Sequence, residues 1–461
     1  MKKMTIGEIA KATHAKILTL DDLQTVKELE ITTISQDSRT VDATTLFLAI
    51  IGERLDGHDF IPQCYEKKVA ACLCEKEVPL QSGSVILLVE NVRKAMLALA
   101  KYYRDQFQIP FVGITGSVGK TTTKDMVSSV LAQKYNVLAT AGNYNNDLGV
   151  PLTLFRLEEE HELAIIEMGM NHFGEIHALA EVVQPDIGLI SNVGVAHIEF
   201  LGSREGIMEA KCEMFDHMTE DGVAILNVDN DMLATLDGKL PQKIRWFGVD
   251  DHKDIYADDL EIVGMEATKC KIHTEKGTVE VMVPMPGVHM VSNALSATAV
   301  ALELGLSLEE IKKGIETFVP TKNRMNVIHL ESGLTILNDV YNANPVSVKA
   351  SLDILQTAEH RKIAILGFMG ELGEYAPEMH KDVGAYAAKV GIDVLFFIGN
   401  HGECVKEGAL EGGLSNVYLY ANQEEFWKEG IEQIEDTDTI LVKGSRSMAL
   451  EKTVDKLQGV D

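Results

Sequence analysis

The chain has 461 residues and carries 70 acidic against 42 basic side chains, which gives a formal net charge of −28. Apolar residues make up 46% and charged residues 24%, which is typical of a folded protein and excludes extended disorder or a collagen-like repeat as the main state. A protein that follows nucleic-acid phosphates needs a basic surface, so we expect no nucleic-acid partner. The length predicts two to four domains.

The sequence contains no membrane or export signal that we can recognise. No apolar run approaches the roughly 18 residues of a membrane span. Glu8 and Lys11 interrupt any signal-peptide core, so we expect a cytoplasmic protein. The six cysteines are scattered, and we expect buried free thiols, with Cys72 and Cys74 on one face of a strand.

The first region, residues 1–107, mixes short apolar runs with turn signals and predicts a small α/β domain. It closes with a predicted helix over 92–107. A strand over Phe111–Thr115 then opens a second region, 108–318, in which strands and helices alternate. The further predicted strands are Leu163–Met168, Asp186–Val193 and Gly222–Val228, and the predicted helices are Thr121–Leu131, Gly174–Val183, Ser203–Met218 and His289–Leu304. Such alternation predicts a parallel sheet that is covered on both faces.

The segment Phe318-Val319-Pro320 marks a second boundary, and residues 319–461 form another strand–helix series. Its predicted strands are Leu334–Val340, Lys362–Gly367, Val394–Gly399 and Thr439–Val442, and its helices begin near Pro345, Pro377, Glu424 and Met448. This series predicts a Rossmann-like, doubly wound domain. The fold class is therefore α/β with three domains: a small N-terminal α/β domain, a central parallel-sheet domain, and the C-terminal Rossmann-like doubly wound domain.

A phosphate-binding loop is the strongest local signal. The segment GSVGKTTT, residues 116–123, follows an apolar strand and opens a helix. Such a loop cradles phosphate with backbone N–H groups at a helix N-terminus, while the lysine reaches the terminal phosphates and a hydroxyl binds Mg²⁺. Ile114 stands where the strict pattern has glycine, so the motif is a shortened form, and a plain glycine-rich turn is the bland alternative. The expected nucleotide-binding residues are Gly116, Ser117, Val118, Gly119, Lys120, Thr121 and Thr122.

Three polar residues follow in the next elements. Glu167 ends an apolar strand, where a carboxylate would suit Mg²⁺, and His197 follows the next strand. A solvated glutamate and a loop histidine without a role are the alternatives. Lys211 lies within a predicted helix, and its periodicity alone indicates a surface lysine.

These motifs resemble those of the Mur ligase family, the ATP-dependent amide ligases of peptidoglycan synthesis, and the similarity spans the whole chain. The phosphate loop is followed in the family's order by GNYNNDLGVPLTL (142–154), Glu167, His197, Lys211, GVHMVSNALSA (287–297), Arg324 and DVYNANP (339–345). Val118 and Met290 depart from the residues that many members carry. The segments DSR (37–39), DGHDF (56–60), GFMGELG (367–373) and KGSR (443–446) are most similar to the members that add D-alanyl-D-alanine to UDP-N-acetylmuramoyl-tripeptide.

The resemblance implies a reaction through an acyl phosphate, with ATP and two Mg²⁺ sites. It assigns Thr121 and Glu167 to one Mg²⁺, Glu167 or His197 to the second, and a CO₂-carbamylated Lys211 to the second as well. Lys120, Glu167, His197, Lys211 and Arg324 are the implied catalytic residues. The remaining implied contacts are Asn293 and His289 for adenine, Arg324 and Asp339 for phosphate or ribose, Ser38 and Arg39 for the uridine nucleotide, Asn145 and Asn146 for the sugar-peptide or the phosphates, and Tyr341, Asn342 and Asn344 for the dipeptide.

Two alternatives remain at this point. One is a sister ligase, either another Mur enzyme or a folylpolyglutamate synthetase-like enzyme. The other is a regulatory ATPase switch with a phosphate loop, which would leave the third domain without a purpose. The sequence leaves open whether the third peptide residue is lysine or diaminopimelate. We expect a monomer, although the sequence does not determine the oligomeric state.

Overall fold

The computed structural model of the chain describes residues 1–460. The elements of its first part are β1 (Met4–Thr5), α1 (Ile6–Thr13), β2 (Lys16–Thr19), α2 (Leu23–Lys27), β3 (Glu30–Ile31), β4 (Thr33–Ser35), β5 (Thr45–Leu48), α3 (Ile61–Glu66), β6 (Ala71–Cys74), β7 (Val85–Leu88) and α4 (Val92–Arg104). They form a five-stranded sheet in the order β2-β7-β6-β5-β4 and a separate two-stranded pair, β1-β3. Cys72 and Cys74 share one buried cluster with Cys64. The six cysteines are free thiols as expected, but only four are buried, since Cys212 and Cys404 are partly exposed.

The second part is a nine-stranded sheet in the order β16-β15-β14-β13-β12-β11-β8-β10-β9. Its elements are β8 (Phe111–Thr115), α5 (Lys120–Leu131), β9 (Val137–Ala139), α6 (Gly149–Leu154), β10 (Leu163–Glu167), α7 (Glu175–Val183), β11 (Ile187–Ile190), α8 (Ile198–Leu201), α9 (Arg204–Cys212), β12 (Val223–Asn227), α10 (Asp231–Ala234), β13 (Lys243–Gly248), β14 (Ile255–Val263), β15 (Ala267–Thr274), β16 (Gly277–Pro284), α11 (Val288–Glu303) and α12 (Leu308–Glu316).

The predicted parallel order is confirmed from β9 to β14, but the sheet continues further. β15 and β16 extend it with antiparallel pairings that the sequence analysis did not predict. Buried residues alternate with partly buried ones in β15 and with exposed ones in β16, which is typical of an antiparallel sheet with one solvated face. The predicted helix over Ser203–Met218 is also shorter, since α9 ends at Cys212 and continues as a 3₁₀ turn over Glu213–His217.

The third part is a six-stranded sheet in the order β17-β18-β22-β19-β20-β21. Its elements are β17 (Asn326–His329), β18 (Thr335–Asn338), α13 (Pro345–Gln356), β19 (Lys362–Gly367), α14 (Ala376–Lys389), β20 (Val394–Ile398), α15 (Gly402–Glu411), β21 (Val417–Tyr420), α16 (Gln423–Glu429), β22 (Thr439–Lys443) and α17 (Glu451–Leu457). All neighbours except β17 run parallel, which confirms the doubly wound arrangement. The helix predicted near Met448 begins at Glu451, after a 3₁₀ turn.

Each predicted domain corresponds to one of these three larger sheets, while the residue limits 1–107, 108–318 and 319–461 stay predictions. Within the described chain, no helix is both long and apolar enough to cross a membrane. The strands β8, β10 and β11 are neighbours, and their carboxyl ends therefore meet at one edge of the central sheet. In open α/β sheets this edge is where ligands bind.

Candidate active site

The loop between β8 and α5 has the geometry of a phosphate cradle. Gly119 adopts a φ of 76°, in the left-handed region that favours glycine, and it turns the chain into the first helical residue, Lys120. The Ser117 hydroxyl is buried and has no hydrogen-bond partner in the described protein. The loop therefore presents a helix N-terminus and a free hydroxyl to a ligand.

Asn192 holds this loop in place from the end of β11. Its Oδ1 accepts a hydrogen bond from the Val118 N–H at 3.0 Å, and its Nδ2 donates to the Val118 carbonyl at 2.8 Å. The Ser117 N–H also donates to the Asn192 carbonyl at 3.0 Å. The two bonds to Val118 involve its backbone N–H and carbonyl and not its side chain. The sequence analysis missed Asn192, whose signal was a polar side chain at the end of an adjacent buried strand.

Gly116 is part of the motif but does not line the cavity above the loop. A Cβ at this position would overlap the Ser191 hydroxyl on the neighbouring β-strand end. The glycine therefore permits close packing between the loop and the end of β11, as glycine does where backbone must approach a neighbour.

Lys120 and Glu167 face the same cavity. Lys120 Nζ donates to the Gly116 carbonyl at 2.9 Å, and the surrounding protein lowers the pKa of this lysine by desolvation, against the opposing charge of Glu167. Glu167 is only 1% exposed. Its Oε1 accepts from Asn145 Nδ2 at 2.7 Å, while its Oε2 is buried and has no partner among the described residues. An unsatisfied buried carboxylate oxygen fits a bound cation.

Residues 1–460 contain no ready group of three His, Cys, Asp or Glu ligands for a metal. A Mg²⁺ ion usually takes only one or two carboxylates, together with hydroxyl, water and substrate phosphate oxygens. The site chemistry around Thr121 and Glu167 matches that pattern, because both residues line the cavity beside the phosphate loop.

His197 lines the cavity and contacts the third domain. It has a φ of 65°, and its Nδ1 lies 2.8 Å from Oε2 of Glu371. This distance makes an ion-pair contact, although the two groups are not aligned as a regular hydrogen bond. His197 lowers the pKa of the Glu371 carboxyl.

Lys211 is 1% exposed, so the surface position that periodicity alone indicated is wrong. Burial lowers the pKa of Lys211 well below its ordinary value, and the nearby positive charge of Lys120 adds to this effect. In the described part of the chain, no carboxylate forms an ion pair with this lysine. Lys211 does not itself line the cavity.

The first turns of α11 form another part of the cavity wall. Asn293 Oδ1 accepts from the Thr123 hydroxyl at 2.9 Å, which ties α11 to α5. His289 is exposed toward the cavity, and desolvation by the enclosing protein lowers its pKa. The sequence analysis missed further lining residues at the ends of β12 and β13: Asn227, Asp229, Phe247, Val249 and Asp250.

Arg324 reaches from the third domain to the phosphate loop. Its guanidinium lies 3.8 Å from the centre of the Tyr341 ring, and its terminal nitrogen donates to the Thr121 hydroxyl at 3.4 Å. Stacking on an aromatic ring restrains a guanidinium without neutralising it. Arg324 therefore carries a positive charge to the N-terminus of α5.

Asp339 is held in a network within the third domain. Its Oδ2 accepts from the Ser351 hydroxyl at 2.8 Å and forms an ion pair with Lys443. Lys443 Nζ also donates to the Asn342 carbonyl at 3.0 Å. Burial lowers the pKa of Lys443, and Asp339 opposes that shift.

Three of the predicted asparagines use their side-chain oxygens locally. Asn344 Oδ1 accepts from the Ser347 N–H at 2.9 Å as the N-cap of α13, and Asn146 Oδ1 accepts from the Gly149 N–H at 2.9 Å. Asn342 Oδ1 accepts from the Ala343 N–H at 2.9 Å. Each carbonyl oxygen is thus engaged, as is common at helix starts and turns.

The structure brings most of the predicted site residues to one cavity of about 740 Å³ between the second and third domains. Those that line it are Ser117, Val118, Gly119, Lys120, Thr121, Thr122, Asn145, Asn146, Glu167, His197, His289, Asn293, Arg324, Asp339, Tyr341, Asn342 and Asn344. Ser38 and Arg39 lie elsewhere, in the first domain. Ser38 Oγ donates to Gln63 at 2.8 Å, and Arg39 pairs with Asp37, whose pKa it lowers to about 2.

Sequence profiles of three Mur ligase domains match the chain: the family catalytic domain over residues 30–104, the middle domain over 114–301 and the glutamate ligase domain over 323–446. The UDP-N-acetylmuramoyl-tripeptide--D-alanyl-D-alanine ligase of Bacillus subtilis is 36% identical over 461 residues, which cover 99% of each chain.

Solved structures agree with this similarity. MurF from Acinetobacter baumannii matches with a TM-score of 0.92 and 33% identity, covering 100% of this chain and 99% of that one. MurF from Thermotoga maritima in complex with ADP matches with a TM-score of 0.83 and 27% identity, covering 93% of this chain and 97% of that one. Together with the phosphate loop and the cavity described above, these matches show that the chain belongs to the Mur ligase family.

Proposed function

We propose that this protein joins D-alanyl-D-alanine to UDP-N-acetylmuramoyl-tripeptide with the hydrolysis of ATP, as an amide ligase of peptidoglycan precursor synthesis. One observation carries the proposal: the phosphate loop of the second domain and Arg324 of the third line a single cavity beside Glu167. The ligases of this name from Bacillus subtilis and Escherichia coli match the chain over 99% and 94% of their own length. A regulatory switch would not need a third domain at its phosphate site.

The proposed reaction has two steps, and both take place in this cavity. The terminal carboxylate of the tripeptide attacks the γ-phosphorus of ATP, ADP departs, and an acyl phosphate forms. The amine nitrogen of the dipeptide then attacks the acyl carbon, a proton leaves that nitrogen, and phosphate departs as the amide forms. Lys120 and Arg324 offset the negative charge that gathers on the phosphoryl group. Contact between the second and third domains excludes water, which would otherwise hydrolyse the acyl phosphate.

Mg²⁺ fits the donor set of this cavity. Thr121 and Glu167 would hold one ion, since Glu167 presents a buried oxygen without a partner, and His197 together with Glu167 would hold the second. Bound Mg²⁺ would reduce the repulsion between the carboxylate and the triphosphate. The residues of this chain supply oriented ligands and the enclosing walls.

We also propose that Lys211 is carbamylated. A neutral Lys211 amine would attack the carbon of CO₂ and lose a proton, which gives an anionic carbamate. The lowered pKa of this buried lysine supplies the neutral amine, and the product would replace a cation beside Lys120 with an anion suited to Mg²⁺. A buried lysine without a carboxylate partner supports this role.

The remaining assignments follow the motif positions. Asn293 and His289 would contact adenine, Asp339 would contact ribose or phosphate, and Ser38 with Arg39 would bind the uridine nucleotide in the first domain. The sugar-peptide or the phosphates would lie against Asn145 and Asn146, and the dipeptide against Tyr341, Asn342 and Asn344. We further propose a monomer that acts in the cytoplasm, where ATP and nucleotide precursors are available; light scattering on the purified chain tests the first of these statements.

A phosphate-release assay tests the function. ATP should turn over only when UDP-tripeptide and D-alanyl-D-alanine are both present, and the lysine and diaminopimelate tripeptides should be offered separately. Robust turnover with a single amino acid in place of the dipeptide would indicate a sister ligase. Slow ATP hydrolysis that no peptide alters would indicate a regulatory switch.

The carbamate has a test of its own. Enzyme prepared free of CO₂ should regain activity when bicarbonate is added. Lys211→Ala should be nearly inactive and should recover in part with acetate or formate, which can occupy the vacated anionic position. Near-normal rates for Lys211→Ala would exclude this role.

A further inference from the structure

The segment GFMGELG, residues 367–373, touches the second domain at two points beside the cavity. Glu371 Oε2 lies 2.8 Å from His197 Nδ1. Gly373 lies against Glu199, because a Cβ on this glycine would come within 3.3 Å of the Glu199 Cβ. Both contacts join the loop after β19 to the start of α8. This segment matched the dipeptide-adding members in sequence, yet the proposed reaction gives it no task.

The third domain holds this loop firmly. His380 is 0% exposed and uses both ring nitrogens: Nε2 accepts from the Met369 N–H at 3.0 Å, and Nδ1 donates to the Ala376 carbonyl at 2.7 Å. The Ser445 N–H donates to the Phe368 carbonyl at 3.1 Å. Glu371 is therefore presented by a loop that its own domain has ordered.

Both partners of the contact have unusual backbones. His197 has a φ of 65° and Glu371 a φ of 61°, in the left-handed region that side chains with a Cβ rarely adopt. Such conformations are unfavourable for residues with a Cβ and persist where the surroundings require them. The strained pair places a carboxylate of one domain against an imidazole of the other.

The contact involves a ring nitrogen that has no regular hydrogen bond. His197 Nδ1 is buried, forms no aligned hydrogen bond in residues 1–460, and lies 2.8 Å from the Glu371 carboxylate. A histidine that binds a cation through one ring nitrogen usually directs its other N–H to a carboxylate or carbonyl, which fixes the tautomer and the ring orientation. Glu371 supplies such a carboxylate from across the domain boundary.

We propose that Glu371 is a positioning residue: its carboxylate holds the Nδ1–H of His197 when the third domain contacts the second, and so leaves the lone pair on Nε2 for a cation. The cation site would then be complete only when the two domains meet, which links domain contact to cation binding. This inference rests on the proposed function for its purpose. The tautomer that it requires is a property of the protein alone.

The alternative is that Glu371 merely helps the domains to adhere. Under both hypotheses, Glu371 variants should weaken the contact between the two domains. Only the positioning role also predicts a change in the tautomer of His197 and in cation affinity. Glu374 lies in the same loop, is exposed and has no contact with His197, so Glu374→Gln is the matched control.

The experiment compares wild type, Glu371→Gly, Glu371→Gln and Glu374→Gln. Glycine tolerates a φ near 61° at no cost, so Glu371→Gly removes the carboxylate without adding backbone strain. The nitrogen shifts of ¹⁵N-labelled histidine, with His197 assigned by His197→Asn, report the tautomer at about pH 8.5, where imidazole is neutral. Binding of Mn²⁺ in the presence of a non-hydrolysable ATP analogue reports cation affinity by electron paramagnetic resonance.

Wild type and Glu374→Gln should show the proton on Nδ1 of His197. Glu371→Gly should show a mixture of tautomers and should weaken Mn²⁺ binding about 10–100-fold, and Glu371→Gln should fall between them, since its amide oxygen still accepts. A wild-type ring protonated on Nε2, or an unchanged Mn²⁺ affinity in Glu371→Gly, would overturn the proposal. If the proposed ligase activity fails while the tautomer changes as expected, the positioning role stands and its purpose is wrong.

Discussion

Two buried lysines, one in the second domain and one in the third, differ in how their charge is balanced. Lys443 of the third domain is 2% exposed and has a carboxylate partner in Asp339, which Ser351 also contacts. Lys211 of the second domain is 1% exposed and has no such partner in the described chain. Lys120 of the same domain donates only to a backbone carbonyl.

This difference in ion pairing indicates which domain has unbalanced charge that a ligand can neutralise. A buried cation is costly unless an anion and hydrogen bonds compensate it. In the third domain, the Asp339 carboxylate neutralises the Lys443 charge, so this side of the cavity needs no ligand to balance that lysine. In the second domain, Lys120 and Lys211 form no ion pair with a described residue and one oxygen of Glu167 has no hydrogen bond, so this domain retains charge for bound anions and cations.

Lys120→Ala should produce the largest loss, because it removes a positive charge at the position where the phosphoryl group is transferred. We expect kcat to fall by about 10²–10³, or about 2.7–4 kcal/mol, in the phosphate-release assay. Lys134→Ala is the control, since Lys134 also donates to a carbonyl, that of Gly305, but lies outside the cavity. A Lys120→Ala rate within threefold of wild type would show that this lysine does not act on the phosphate.

Lys443→Met should lower the free energy of unfolding by about 3 kcal/mol, because it leaves Asp339 largely buried without its cation. Lys349→Met removes one partner of a more exposed pair with Asp382 and should cost under about 1 kcal/mol. Urea denaturation of both variants measures the difference. Equal losses would mean that the Asp339 pair is no better balanced than a surface pair.

Asn192→Ala should loosen the phosphate loop without touching a catalytic charge. It deletes two hydrogen bonds to the Val118 backbone, each worth about 1 kcal/mol, so we expect KM for ATP to rise about tenfold. Steady-state kinetics at saturating peptide substrates would measure this change. An effect on kcat alone would place Asn192 in the chemistry instead of in the support of the loop.

Lys211→Met should have the smallest effect on stability, and in the opposite direction to Lys443→Met. Removing an uncompensated buried amine should leave the unfolding free energy unchanged or raise it by about 1 kcal/mol. The depressed pKa means that the unfolded wild type binds the extra proton, so wild-type stability should rise as the pH approaches the ordinary lysine pKa. Lys211→Met should lack this increment in CO₂-free denaturation series, and its persistence there would argue against the shift.

Local patterns predicted much of the fold. β8 over Phe111–Thr115 and β19 over Lys362–Gly367 agree with the predicted limits, because each is a short, mostly apolar run bounded by turn residues. The phosphate loop was equally visible, since its glycines, lysine and threonines stand together. By contrast, β15 and β16 were not predicted, because Lys269, Lys271 and Glu280 give these strands a polar face that resembles a loop.

Contacts between distant residues explain what was missed in the site. Asn192 meets Val118 across 74 positions, and Lys443 meets Asp339 across 104. The residue type alone does not indicate the partner in either case. An asparagine after a strand, for example, is commonly a turn residue. The burial of Lys211 was hidden for the same reason: a lysine on a nine-residue helix gives no sign of which other elements enclose it.

The close packing of Gly116 on Ser191 makes the side chains that two distant positions can accept depend on each other. A side chain at 116 has room only if the hydroxyl at 191 is lost, so we expect the two sites to change together or not at all. Gly116→Ala alone should then behave as a misfit, whereas Gly116→Ala with Ser191→Gly should recover part of the loss. A designer who wishes to reshape the proposed nucleotide site must therefore redesign both strand ends at once, because Ser191 lines the cavity and Gly116 packs against it.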